Sequence, residues 1–163
     1  MAFHIIAAMD LNRGIGKNNA LVWDIKADMK HFKDLTTGTT VIMGRKTWES
    51  LPERYRPLPN RENIVLTRNG DYDLPEGALM AHSLNEALKM ATNDFVYVIG
   101  GASLYEEAIN HHQCKGMSIT LINGEYDCDA FFPEIPARMK QKGSTPFYEE
   151  NGVEFSFLDY RAK

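Results

Sequence analysis

The chain has 163 residues, 44% of them hydrophobic and 25% charged, with two cysteines and a net charge of −4. That length supports one domain (1–163) whose core needs neither disulfide nor metal, and the composition is that of a globular protein rather than a disordered one. No apolar run reaches the roughly 18 residues of a membrane span, and the opening "MAFHIIAAMD" lacks the basic start and cleavage site of a signal peptide, so a cytoplasmic protein without membrane contact is expected.

Cys114 and Cys128 form no C-x-x-C pair and read as free thiols, and His111-His112 has no H-E-x-x-H context, so no metal site is expected. The acidic balance disfavours nucleic acid. Residues 45–68 nevertheless carry +3 against −7 elsewhere, a local basic patch suited to a small anionic ligand.

In chain order, "FHIIAAM" (3–9) is a continuous apolar run, the pattern of a strand buried on both faces. A loop follows, "DLNRGIGKNNALV", punctuated by Gly14 and Gly16. "WDIKADMKHFKDL" (23–35) has helical period, with Ile25, Asp28, Met29, Phe32 and Leu35 on one face. "TTVIMG" (39–44) is a second strand running into the helix "RKTWESL", and "NIVLT" (63–67) a third after the loop "PERYRPLPNRE". "ALMAH" (78–82) is a fourth, and Ser83 with Glu86 makes a capping box for "LNEALKMA". "FVYVIGG" (95–101) leads into the helix "ASLYEEAI", "GMSITLI" (116–122) is a sixth strand, and "VEFSFLDYR" (153–161) extends with no helix between. Strands alternating with helices, then strands alone, predict an α/β domain with a mostly parallel sheet, covered on both faces and ending in an antiparallel edge.

Ligands of such sheets bind at the carboxyl ends of the strands. That rule selects the loop after Met9, the turn at Gly44, the end of "NIVLTR" and the turn at Gly100-Gly101. At Gly44 a strand meets a helix, so the free N–H groups of Arg45, Lys46 and Thr47 form an anion site, and Gly100-Gly101 repeats the arrangement. Two such turns suit the phosphates of a dinucleotide. Arg68 adds a cation past a third strand, and Arg61, in a proline-bounded loop, is suited to grip a carboxylate with two bonds. Asp28 lies on the apolar stripe of the first helix. A helix cap or first-turn acid is one reading; a buried acid that binds paired N–H donors and serves in proton transfer is the other.

The segments "IIAAMDLNRGIGKNNAL", "ADMKHFK", "VIMGRKTWES", "RPLPNRENIVLTR", "VIGGASLYE", "ITLI" and "DAFFP" together resemble dihydrofolate reductase along essentially the whole chain. The resemblance implies an eight-stranded sheet with four helices, and a cytosolic, monomeric enzyme that reduces 7,8-dihydrofolate to tetrahydrofolate with NADPH and is open to diaminopyrimidine and pteridine antifolates. It implies an adenosine-binding subdomain over roughly 39–111. Asp28 would hydrogen-bond the pterin's amino group and ring nitrogen, with Thr120 in support, and Leu21, Trp23 and Tyr105 would complete the catalytic set, Tyr105 near the nicotinamide. Ile6, Ala7, Ala8, Leu21, Phe32, Leu58 and Ile99 would wall the substrate, and Arg61 would hold its glutamate α-carboxylate. Arg45, Lys46, Thr67 and Arg68 would surround the cofactor's 2′-phosphate, and Thr47 with the 100–105 turn its pyrophosphate. Ala8, Ile15, Gly16, Asn19, Leu21, Gly44, Leu66, Gly100, Gly101, Ala102, Ser103 and Leu104 would complete that contact, with a cis Gly100-Gly101 bond. The chain departs from the pattern at Val22 and Lys26, where many relatives have proline, at Ser103, where some have arginine, and in a longer 52–57 loop. A pyrimidine reductase of riboflavin synthesis, or a non-catalytic NADPH-binding protein, would share the phosphate turns but have no use for the Asp28 and Arg61 pattern.

Overall fold

The computed structural model describes residues 1–163, and in it the apolar run at the amino end becomes β1 (Phe3–Met9) inside a large sheet. The remaining strands are β2 (Gly14–Gly16), β3 (Thr40–Gly44), β4 (Glu62–Leu66), β5 (Ala78–Ala81), β6 (Val96–Val98), β7 (Cys114–Ile122), β8 (Ala130–Phe131), β9 (Met139–Ser144), β10 (Tyr148–Glu150) and β11 (Val153–Ala162). The helices are α1 (Lys26–Thr36), α2 (Arg45–Ser50), α3 (Leu84–Met90) and α4 (Ala102–Ile109). The sheet runs β10-β11-β7-β1-β6-β3-β4-β5, with β9 also on β11. β9 pairs with residues 158–162 of β11 and β10 with 153–155, so the two lie end to end along one outer edge and the sheet has eight strand positions. All pairs from β7 to β5 are parallel, and β11 runs antiparallel to β7. This is the mostly parallel α/β sheet with an antiparallel carboxy-terminal edge that the element order implies.

The chain lays β1, then β3, β4 and β5 outward, and returns to insert β6 between β1 and β3. That reversal leaves a crevice at the carboxyl ends of three adjacent strands, the place where open α/β sheets take ligands. Side chains alternate across β1: Phe3, Ile5, Ala7 and Met9 enter a core of 23 buried residues with α3 and α4, while Ile6 and Ala8 point to the other face. A second cluster (Val41, Met43, Trp48, Leu58, Val65) and a third (Trp23, Ile25, Ile122, Phe155) flank the crevice.

Two details differ from the sequence reading. The loop after β1 contains β2, which pairs with β8 as a separate ribbon; with only three residues, two of them glycine, it carries no strand signal of its own. The expected buried face of α1 is in part open. Ile25 and Ala27 join the Trp23 cluster, but Phe32 and Leu35 are half-buried and Met29 is 61% exposed. An apolar stripe marks a surface that avoids water, and on α1 part of that stripe borders the crevice instead of the core.

Candidate functional site

Asp28 sits in the first turn of α1, so of the competing reading, a helix cap or first-turn acid, the second half describes its position. The cap is supplied elsewhere: Glu150 of β10 accepts from Lys26 N (2.6 Å) and Ala27 N (3.1 Å), placing a carboxylate at the positive end of the helix. The Asp28 side chain turns to β7, where Thr120 Oγ1 donates to Oδ1 at 2.6 Å. Burial pushes the Asp28 pKa above the usual carboxylate value, against the opposing pull of the Thr120 bond and of His31.

Apolar groups gather beside this acid. Phe32 and Ile99 pack against the cluster that holds Leu58. Leu58 is fixed by Asn63, fully buried in β4, whose amide accepts from Leu58 N (2.9 Å) and donates to the carbonyls of Leu58 and Arg61 (both 3.0 Å). The same brace presents Arg61. Its guanidinium lies 5.9 Å from the Phe32 ring centroid and donates to Thr36 Oγ1 (3.0 Å) and Pro59 O (2.9 Å), yet it forms no ion pair. A half-buried guanidinium whose own protein offers only neutral acceptors is a ready site for a carboxylate.

The glycine turns also meet. Gly44 N donates to Gly100 O at 2.8 Å, and the Gly100-Gly101 peptide is cis. Gly100 has φ +125°, and a Cβ there would lie 3.2 Å from Tyr105 Oη and 3.4 Å from Thr47 Oγ1, so the backbone approaches both side chains as only glycine permits. The first N–H groups of α2 and α4 thus converge on one place with the Thr47 hydroxyl beside them, a cradle that fits a diphosphate. Tyr105 Oη donates to Ile6 O at 2.8 Å, tying α4 to β1, and burial holds its phenol far above its ordinary pKa. It remains protonated and acts as a brace. Beyond the cradle, Arg68 and Lys46 are exposed without ion-pair partners, whereas Arg45 pairs with Glu49 (3.3 Å) and lies over Tyr72. Thr67 Oγ1 accepts from Asn69 N, and His82 Nδ1 contacts Thr67 O at 3.0 Å.

The loop from Asp10 to Trp23 borders this site. Leu21 is 60% exposed, Asn19 donates to Lys46 O at 2.7 Å, and Ile15 packs on the main core. Gly16 lies against Ala20, whose carbonyl is 2.7 Å from where a Cβ would stand. Trp23 is 7% exposed and stacks edge-on with Tyr126, and its Nε1–H is buried without a protein acceptor, so it suits a water or a ligand atom. The structure therefore brings together Asp28, Thr120, Ile6, Ala8, Phe32, Leu58, Arg61 and Ile99 on one side of the crevice. Gly44, Arg45, Lys46, Thr47, Leu66, Thr67, Arg68, Gly100, Gly101, Ala102 and Ser103 gather on the other. The side chains of Ala7 and Leu104 are in the core, where only their main chain remains available to a ligand.

Sequence reasoning missed four contributors. Asp10, 1% exposed, accepts from Asn12 N (2.9 Å), Gly14 N (2.7 Å) and Tyr126 N (2.9 Å), joining the loop to the segment before β8. An Asp directly after an apolar strand, two residues before a turn N–H, is an Asx-turn signal. Asn63, Glu150 and Met29 are the others: the first two act on distant or irregular chain, and Met29 offers an exposed apolar surface beside Asp28 and Phe32.

The chain matches the dihydrofolate reductase family over residues 2–162. The dihydrofolate reductase of Drosophila melanogaster is 37% identical over 96% of this chain and 96% of its own, and that of Heliothis virescens 41% identical over 81% and 79%. The bifunctional dihydrofolate reductase-thymidylate synthase 1 of Arabidopsis thaliana is 37% identical over 97% of this chain, which spans 34% of its length, about the share it spans of the other bifunctional plant relatives it matches. With a carboxylate-bearing apolar cleft beside a cradle of backbone N–H groups, a family match over residues 2–162, and similarity to two dihydrofolate reductases over most of their length, the chain belongs to the dihydrofolate reductase family, whose enzymes reduce dihydrofolate to tetrahydrofolate with NADPH.

Proposed function

We propose that this protein reduces 7,8-dihydrofolate to 5,6,7,8-tetrahydrofolate with NADPH, Asp28 being the group that binds and orients the pterin. The observation that carries this is the half-buried Asp28 carboxylate, tied to Thr120 with its second oxygen free, in a cleft whose far wall bears the unpaired Arg61. A pterin presents adjacent amino and ring N–H donors that match a carboxylate, and its glutamate tail presents the carboxylate that Arg61 lacks. Phe32, Leu58 and Ile99 cover the rings between, with Met29 at the rim.

NADPH, when bound, supplies the hydride that the imine carbon of the pterin accepts. Gly44, Thr47, Gly100, Gly101, Ala102 and Ser103 would hold its pyrophosphate, and Lys46, Thr67 and Arg68, with Arg45 partly neutralised by Glu49, would receive the 2′-phosphate. Asp28 keeps a negative charge beside the pterin and so raises the proton affinity of the ring nitrogen that must be protonated, with the proton arriving through water. Thr120 fixes the carboxylate rotamer. Tyr105 fixes the Gly100 turn against β1, Trp23 has a free N–H that would suit an ordered water, and Leu21, with Ile15, Gly16 and Asn19, would border the nicotinamide.

Residues 39–111 on this reading are the adenosine-binding subdomain, comprising the β3-β4-β5 side of the sheet. No helix is long and apolar enough to cross a membrane. On the family resemblance, we place the enzyme in the cytoplasm as a monomer. Diaminopyrimidine and pteridine antifolates, which carry the same paired donors, compete for Asp28. The test is NADPH oxidation followed by absorbance with dihydrofolate as sole acceptor. Turnover is expected, and its absence with an intact fold and retained NADPH binding defeats the reading.

A further inference from the structure

α1 and β7 meet through two parallel contacts. Asp28 and His31 stand one helical turn apart, and Thr120 and Ser118 are successive residues of one face of β7. Thr120 takes Asp28, and His31 Nε2 lies 3.2 Å from Ser118 Oγ. The imidazole is also stacked on Phe157 of β11, with centroids 4.0 Å apart and planes 24° from parallel.

His31 also lines a cavity of about 480 Å3 bounded by His4, Tyr97, Phe157 and Arg161, away from the glycine turns. Asp28 does not line that cavity. Its titratable and charged neighbours are Asp28 and Asp34 on α1, His4 on β1, Tyr97 on β6, and Asp159 and Arg161 on β11; β7 and β9 present none there.

We propose that His31 is a positioning residue for the reductase reaction: seated on Phe157 and Ser118, it sets the approach of α1 to β7 that makes the Asp28 to Thr120 bond, and it places an imidazole one helical turn from that carboxylate, where its charged form favours the ionised acid. The role in turnover rests on the reductase reading, but the coupling of the two side chains does not. Burial lowers the His31 pKa and raises that of Asp28, bringing the two titrations toward each other, and each charge favours the other's ionised form. Each titration therefore depends on the charge of the other group.

The test is a carbon-13 NMR titration of the Asp28 carboxyl in the ligand-free protein, for wild type, His31→Phe and His31→Gln. Phenylalanine keeps the stack on Phe157 and loses the charge; glutamine keeps a partner for Ser118 and loses the charge. Both variants should move the Asp28 titration upward by about half a unit to one unit, as expected for a nearby charge at intermediate dielectric. The acid limb of kcat should move the same way. An Asp28 titration unchanged in both variants, or restored to wild type by His31→Gln alone, overturns the proposal. Absence of turnover in the wild type would defeat the reductase reading while leaving the titration result standing.

Discussion

Thr120 Oγ1 donates to Asp28 Oδ1 at 2.6 Å, so a hydroxyl from the middle of the sheet saturates one oxygen of a carboxylate 92 residues earlier in the chain. The bond fixes the acid without neutralising it. Burial outweighs this bond, and the pKa of Asp28 is raised. A site that holds a charge at a cost to the empty protein is built for a partner that removes the cost.

Asp28→Asn follows directly. The amide oxygen can still accept from Thr120, but it carries no charge to favour a protonated pterin, so turnover at neutral pH should fall by about 10²-fold or more, with partial recovery as pH decreases. Stability should move the other way. Because the folded-state pKa of Asp28 lies above its unfolded value, the folded protein holds the extra proton between the two; the favourable contribution is complete below the unfolded value and is lost as pH rises through the folded one. The ligand-free variant should therefore melt higher than wild type at pH 7, by roughly 2–4 °C if the relief is about 1 kcal/mol, and the gain should vanish near pH 4. Thermal melts at the two pH values and a pH-rate profile check both halves; a lower Tm at pH 7 would show that the charge is not a burden.

Arg61→Ala should weaken dihydrofolate binding about 10-fold to 150-fold, corresponding to 1.5–3 kcal/mol for a charge-assisted bond. A pterin without the glutamate should bind the variant as it binds wild type. Burial draws the guanidinium pKa down, yet an arginine stays charged at neutral pH. Titration calorimetry with the two ligands separates the assignment from a structural role, in which both would weaken together through loss of the Thr36 and Pro59 bonds.

Asp28 was legible in the sequence because a carboxylate on an apolar stripe needs a reason, and Gly44 and Gly100 because glycine at a strand-to-helix turn has a limited set of uses. Met29 shows where that reasoning stops. A helix face against a core and one against a ligand cleft have the same periodicity, and only the tertiary arrangement tells them apart. Asn63 and Glu150 were illegible for another reason: their partners are irregular main chain or a helix end 123 and 124 residues away, so no local pattern refers to them. The β2 and β8 ribbon is set by pairing between Gly14–Gly16 and Ala130–Phe131, and neither segment has strand propensity enough to announce it.

Cofactor preference should depend on Arg68 more than on Arg45. Arg45 already shares its charge with Glu49, which also accepts from Tyr72 at 2.8 Å, whereas Arg68 has no anionic partner. Arg68→Ala should raise the NADPH KM about 10-fold or more and leave the NADH KM nearly unchanged, narrowing a preference that the wild type should show strongly. Comparable losses with both cofactors would move Arg68 away from the 2′-phosphate.

Val22→Pro tests whether the Asp10 to Trp23 loop, which the proposed function sets against the nicotinamide, limits turnover. Val22 packs at the edge of the Trp23 cluster, and its N–H donates to no group of the protein, so proline forfeits no hydrogen bond there. Proline fixes φ near −65° and restricts Leu21 before it, which removes conformers mainly from open forms of the loop. Elsewhere the loop is held at several points: Asp10 binds Asn12 and Gly14, Asn18 N donates to Asp129, Lys17 pairs with Asp127, and Asn19 reaches Lys46 O. Opening therefore has to begin near Asn19 to Trp23, where the sole latch to α2 is the single Asn19 bond. If release of product waits on that motion, Val22→Pro should lower kcat or steepen its temperature dependence, while the hydride step seen before steady state changes little. Stopped-flow and steady-state rates on both proteins decide it. A change in the hydride step alone, or in neither rate, means that packing of Val22 against Trp23 already holds the segment, and proline then adds only a few tenths of a kcal/mol to stability.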